Sequence, residues 1–238
     1  MSALIPAELL RLRTLRSPRY GALGVLAFLA LTAALNVQPT EIQAHPAHLA
    51  DSLRSLAVVG ALMAALFAAT NVATHFHSGA AAMTYLSHPH RGRVGASQAL
   101  TYAALGALFA AATAAVVLTV GEAIAGADRF HASYSTLEVT RMVGGSAAGG
   151  AIMGAAGVFI GTVVRNPTLA SGVLPAWYIV ELTLVPEALQ PYLPFGLVDW
   201  LMSGSGDLSL PAAIGLLVTY SVALTLVAVN WALPRDLT

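Results

Sequence analysis

The sequence predicts an all-α membrane protein with six transmembrane helices, and three observations predict it. Of 238 residues, 57% are hydrophobic and only 9% are charged, where a soluble domain carries roughly a quarter. A surface facing lipid needs no such charge. Six apolar stretches approach the ~20 helical residues that cross a hydrocarbon core of about 30 Å. Finally, these stretches are long, rich in Ala and Leu, and do not alternate, which argues against spanning strands.

Residues 3–15 read as an amphipathic helix. Leu9, Leu10 and Leu12 stand against Arg11, Arg13 and Arg16, and Pro6 suits a first turn. Such a helix lies in the inner interface, with leucines in lipid and arginines on phosphate. A plain basic anchor is the other reading. The spans follow at Arg19–Val37, Leu56–His75, Val94–Val120, Met142–Val164, Thr168–Val185 and Pro211–Leu233.

The arginines orient these spans. All eleven basic residues are Arg. Arg11, Arg13, Arg16, Arg19, Arg91, Arg93, Arg165 and Arg235 share one side of a six-span chain; Arg54, Arg129 and Arg141 fall on the other. Basic residues collect in cytoplasmic loops, so both termini are expected there. No cleavable signal peptide is expected, because no small-residue cleavage pattern follows the first apolar run. The net charge of zero argues against a nucleic-acid partner. The absence of Cys excludes disulfides and thiolate sites.

The segment between the second and third spans, "THFHSGAAAMTYLSHPHRGRV", is too polar to span and too patterned for a linker. Gly79 to Ser87 suits a short helix with Met83, Tyr85 and Leu86 as apolar contacts, ended by Pro89 and Gly92, with Arg91 and Arg93 leading onward. An exposed apolar turn on a cytoplasmic face wants a partner; the alternative is a helix lying flat on headgroups. His75, His77, His88 and His90 crowd this segment, but with no Cys or carboxylate beside them they read as interfacial histidines rather than a metal site.

In the fourth span Gly145 and Gly149, Gly150 and Gly154, and Gly157 and Gly161 stand four apart. That spacing lets helix backbones approach closely, within one subunit or between two. The fifth span has Pro175 near its middle and Glu181 beyond it, in "PAWYIVELTLVP". At ~1.5 Å per residue Glu181 stands about 20 Å above Thr168, in the outer half. An intramembrane acid is by default a functional candidate. It lines a cavity, pairs with an Arg such as Arg141, or reaches the outer headgroups. Trp177 and Tyr178 join it as cavity or gate candidates. Residues 186–203 are apolar but punctuated by Pro186, Pro191 and Pro194, which fits two half-helices re-entering the outer leaflet. Thr70 and Asn71 near the inner end of the second span, and Thr219 and Asn230 in the sixth, are further polar candidates. A helix-to-helix hydrogen bond is the alternative for each.

In this order the segments resemble the six-span permeases of ATP-binding-cassette exporters, of the type-2 class common in actinobacterial genomes. "AELLRLRTLRSPRYG" looks like that family's elbow helix. "HFHSGAAAMTYLSHPHRGRV" looks like its coupling helix, "GTVVRNPTLASGV" like its turn between the fourth and fifth spans, and "WYIVELTLVPEALQPYLPFG" like its fifth span and outer hairpin. One departure stands out. The family's acid, aromatic and Arg before the coupling Gly are His75, Phe76 and His77 here, and Ala80 follows where Thr is usual.

The resemblance implies a single permease domain over 1–238, with coupling through residues 76–93. Phe76, His77, Met83, Tyr85, Leu86, Arg91 and Arg93 would touch an ATPase subunit present in two copies, beside a second permease subunit. ATP and Mg2+ would bind that partner, because a chain without Lys has no phosphate loop. A bacterial inner membrane and a hydrophobic or amphipathic cargo are expected. A secondary transporter or channel is the alternative. A membrane enzyme would need paired catalytic groups at one depth, which the sequence does not offer.

Overall fold

A computed structural model describes residues 16–36, 46–87, 91–126, 134–204 and 208–227. These form α1 (Arg16–Asn36), α2 (Pro46–His77), α3 (Ala80–Ser87), α4 (Arg91–Ala125), α5 (Thr136–Val164) and α6 (Pro167–Thr183). A 3-10 turn (Gln190–Tyr192), α7 (Pro194–Ser203) and α8 (Leu210–Val227) complete the order. No strand occurs among the described residues. The expected interfacial helix at 3–15 lies outside them, as do His88, His90 and Asn230.

Three helices are long and apolar enough to cross a membrane, over Asp51–His77, Gly92–Ile124 and Thr136–Val164. The protein is therefore a membrane-embedded helical protein. The apolar stretches described in α1 and α8 are shorter, Gly24–Leu35 and Leu210–Leu224. Helices overrun the predicted spans: α2 begins at Pro46 rather than Leu56, and α4 runs to Ala125. The 32 residues of α2 rise about 48 Å at 1.5 Å each, well beyond the hydrocarbon. Bilayer thickness limits the apolar stretch; backbone hydrogen bonding lets the helix continue past it.

Local chemistry sets several ends. Ser135 caps α5 in a reciprocal box: its Oγ accepts from Glu138 N at 3.3 Å, while its own N donates to Glu138 Oε2 at 2.7 Å. Arg165 ends α5 in the left-handed region at φ 55°. Asn166 then caps α6, its Oδ1 accepting from Thr168 N at 2.9 Å and Leu169 N at 3.2 Å, with Pro167 in the first turn. Gly79, at φ +74°, turns the chain from α2 into α3.

The core is α2, α4 and α5 packed on one another, with α1 against α4 and α2, α6 against α2, and α7 and α8 against α5. Small residues make it. Ala57, Ala61, Ala65, Ala69 and Ala73 form a fully buried stripe at every fourth position of α2. On α5 the three glycine pairs meet three different neighbours within the one chain. A Cβ on Gly157 or Gly161 would overlap the Ala65 or Ala69 carbonyl of α2. One on Gly150 or Gly154 would overlap the Gly106 or Tyr102 carbonyl of α4. One on Gly145 or Gly149 would meet α7, at Leu201 C (2.5 Å) or Val198 Cγ1 (2.7 Å). Between these contacts buried Ser146 donates from Oγ to the Ala110 carbonyl of α4 at 2.9 Å. Such interhelical bonds and backbone approaches are what hold helices together where lipid removes the hydrophobic drive. The opposite faces carry exposed Phe28, Leu108, Leu169, Val173, Leu182 and Val218, a surface suited to acyl chains.

Candidate functional site

The site is built around α7, which lies at the end of the bundle where α2 starts and α4 and α6 finish. Its first residue is Pro194, and Leu193 in the capping position offers no side-chain acceptor. The missing acceptor comes from another helix. Glu181 of α6, 3% exposed, accepts at Oε1 from Gly196 N at 2.7 Å. Its Oε2 accepts from Trp177 Nε1 at 3.2 Å. A carboxylate at a helix N-terminus satisfies orphan N–H groups and opposes the helix dipole.

The other end of α7 carries the opposite charge. Arg141 Nη1 of α5 donates to the Ser203 carbonyl at 3.4 Å, and a side chain on Gly204 would run into this guanidinium. Glu181 and Arg141, which the sequence offered as a pair, instead hold opposite ends of one short helix. Because Arg141 is exposed, Arg141→Gln should lower stability by only about 0.3–1 kcal/mol, read as a small fall in thermal midpoint in detergent. A loss as large as that of a core variant would mean that Arg141 does more than meet a helix end.

The chain before α7 is folded against it. Gln190 Nε2 donates to the Val185 carbonyl at 3.1 Å, and Tyr220 of α8 donates from its hydroxyl to the Tyr192 carbonyl at 3.0 Å. A Cβ on Gly196 would overlap the Gln190 carbonyl, so this approach needs glycine. In place of two half-helices, residues 186–203 thus form a 3-10 turn and one helix. Three prolines within nine residues leave the first half too few N–H donors to continue a helix.

Between α2, α6 and α7 lies a cavity of about 540 Å³. Tyr178, Glu181, Phe195, Asp199 and Trp200 line it, with Ser55 and Val58 of α2 opposite and Glu187 and Tyr192 at the turn. Tyr178 and Phe195 meet edge to face, with centroids 5.0 Å apart. Asp199 makes no hydrogen bond or ion pair among the described residues. The buried Trp200 indole N–H has no partner among them either. Arg54, beside this end, is ion-paired with Asp51 on its own helix. Nearby Tyr134 is buried, and desolvation pushes its phenol well above its ordinary range although Arg54 opposes this.

Other predicted residues stand elsewhere. Thr70 Oγ1 donates to the Leu66 carbonyl and Asn71 Nδ2 to the Phe67 carbonyl, each at 2.8 Å and within α2. Thr219 likewise bonds to Gly215 within α8. Trp177 is half-exposed on the outer face of α6, reaching back only through its N–H. At the opposite end of the bundle, α3 follows α2 as the sequence predicted. There the Arg165 guanidinium lies 5.2 Å above the Phe76 ring. His77, Met83 and Arg93 are exposed; the side chains of Tyr85, Leu86 and Arg91 lie outside the described residues. No family description matches this chain, and no curated protein is significantly similar to it.

Proposed function

We propose that this chain is the membrane-spanning subunit of an ATP-driven exporter of the type-2 permease class. It crosses a bacterial inner membrane six times with both termini cytoplasmic. It pairs with a second permease subunit and two copies of a separate ATPase that binds ATP and Mg2+. The reading rests on α3: eight residues turned out of α2 at Gly79, with Met83 71% exposed. An apolar side chain held out on a short helix between two long ones suits a socket in a partner.

The mechanics follow from the packing. A push on α3 reaches α2 and α4 directly, because it joins them in sequence. Both meet α5 backbone to backbone, so the three helices move together. The same α5 seats α7 through Gly145 and Gly149. Closure of an ATPase dimer on α3 therefore rocks the far end of the bundle, where the cavity lies, and exposes it alternately. The cargo is hydrophobic or amphipathic.

The test is to purify the chain with its ATPase and measure hydrolysis. Replacing Tyr85, Leu86 and Arg91 together by Ala should dissociate the ATPase or uncouple its hydrolysis from cargo. An intact complex with unchanged coupled activity would overturn the coupling role. A secondary transporter is the second reading, favoured by Glu181 and Asp199 in one cavity. Transport abolished by an ionophore but indifferent to ATP would select it.

A further inference from the structure

We infer that the cavity beneath α7 binds an organic monocation with apolar substituents. Its volume, about 540 Å³, is in the range of pockets that enclose one small molecule. Its walls combine two features that such a cation requires. The first is carboxylate that no close partner satisfies. Glu181 is occupied by the N-terminus of α7, whereas Asp199 has neither hydrogen-bond nor ion-pair partner among the described residues, and Glu187 adds a second carboxylate at the turn.

The second feature is aromatic surface. Tyr178, Phe195 and Trp200 line the same space, and ring faces attract cations whose charge is spread over carbon.

The alternatives fit less well. An inorganic divalent ion needs several convergent ligands, and no group of three His, Cys, Asp or Glu comes together among the described residues. An anion would face carboxylates, with the nearby Arg54 already paired to Asp51. A neutral lipid would leave Asp199 unmatched. The inference goes beyond the exporter reading and stands without it, since binding needs neither ATP nor a partner.

The experiment uses the full chain in nanodiscs of zwitterionic lipid, without ATPase or nucleotide. Tetraphenylphosphonium and tetraphenylborate have the same shape and opposite charge, and binding of each is followed by quenching of tryptophan fluorescence. Saturable binding of the phosphonium alone is expected. Asp199→Asn should weaken it about tenfold, and Asp199→Glu should keep most of it. Equal binding of the two ions, or no saturable binding of either, overturns the proposal. So does unchanged affinity in a folded Asp199→Asn protein. Should Asp199→Asn fail to fold, the comparison of the two ions on the unaltered chain decides alone.

Discussion

Gly154→Leu is expected to prevent the chain from folding to a stable, monodisperse protein. At this position a Cβ would overlap the Tyr102 carbonyl oxygen and lie 3.1 Å from its carbon and 3.5 Å from Gly106 Cα. All three are backbone atoms of α4, so no side chain can turn aside. Overpacking costs about 1–3 kcal/mol where rotamers can adjust, and more where they cannot. A loss of about 3 kcal/mol lowers the thermal midpoint by roughly 6–12 °C in a chain of this size.

Gly144→Leu is the control. It lies on the same helix with nothing within 4 Å of its Cβ, and replacing Gly there should stabilise by up to about 1 kcal/mol through helix propensity. Size-exclusion recovery after graded heating compares the two. Equal behaviour would mean that α4 and α5 do not touch backbone to backbone.

Glu181→Leu is expected to release α7 from the bundle. The substitution strands the N–H of Gly196 inside the protein and removes the partner of Trp177. Each buried donor left unmatched costs about 1–3 kcal/mol, and the α7 dipole loses its opposing charge. Glu181→Gln retains an acceptor oxygen but not the charge. It should assemble almost normally and, on the exporter function proposed above, alter transport.

The chain lacks Cys, so a reporter is easily placed. Val198→Cys puts a thiol at a fully buried site on α7, against Gly149. Maleimide should label it slowly alone and with Glu181→Gln, and quickly with Glu181→Leu. Slow labelling in all three would remove Glu181 as the anchor of α7, and normal transport by Glu181→Gln would remove its charge from the function.

The helices of this protein were legible because their causes are local. Apolar length marks α2, α4 and α5, and Gly79 marks the break before α3; the Ser135-to-Glu138 spacing and Asn166-Pro167, which set the starts of α5 and α6, were passed over by spans read from Met142 and Thr168. The Ala stripe of α2 was equally visible at four-residue spacing. It passes unnoticed because alanine is common and carries no polar signal. The same local reading gave helix packing as the role of the α5 glycines, but not their partners.

Which helix each glycine pair meets depends on where α2, α4 and α7 cross α5, and that is settled by contacts between segments far apart in the chain. Likewise, the acid at Glu181 and the proline break at Pro194 were each in plain view, though the break read as part of two half-helices and not as the start of one helix without an acceptor at Leu193. Only the fold brings that carboxylate to the Gly196 N–H, 15 residues along the chain. The amino-acid order fixes what each segment needs, since an uncapped helix or a buried acid is a local deficit. Tertiary packing decides which distant group supplies it, because hydrogen bonds reach only about 3 Å and proximity belongs to the folded state.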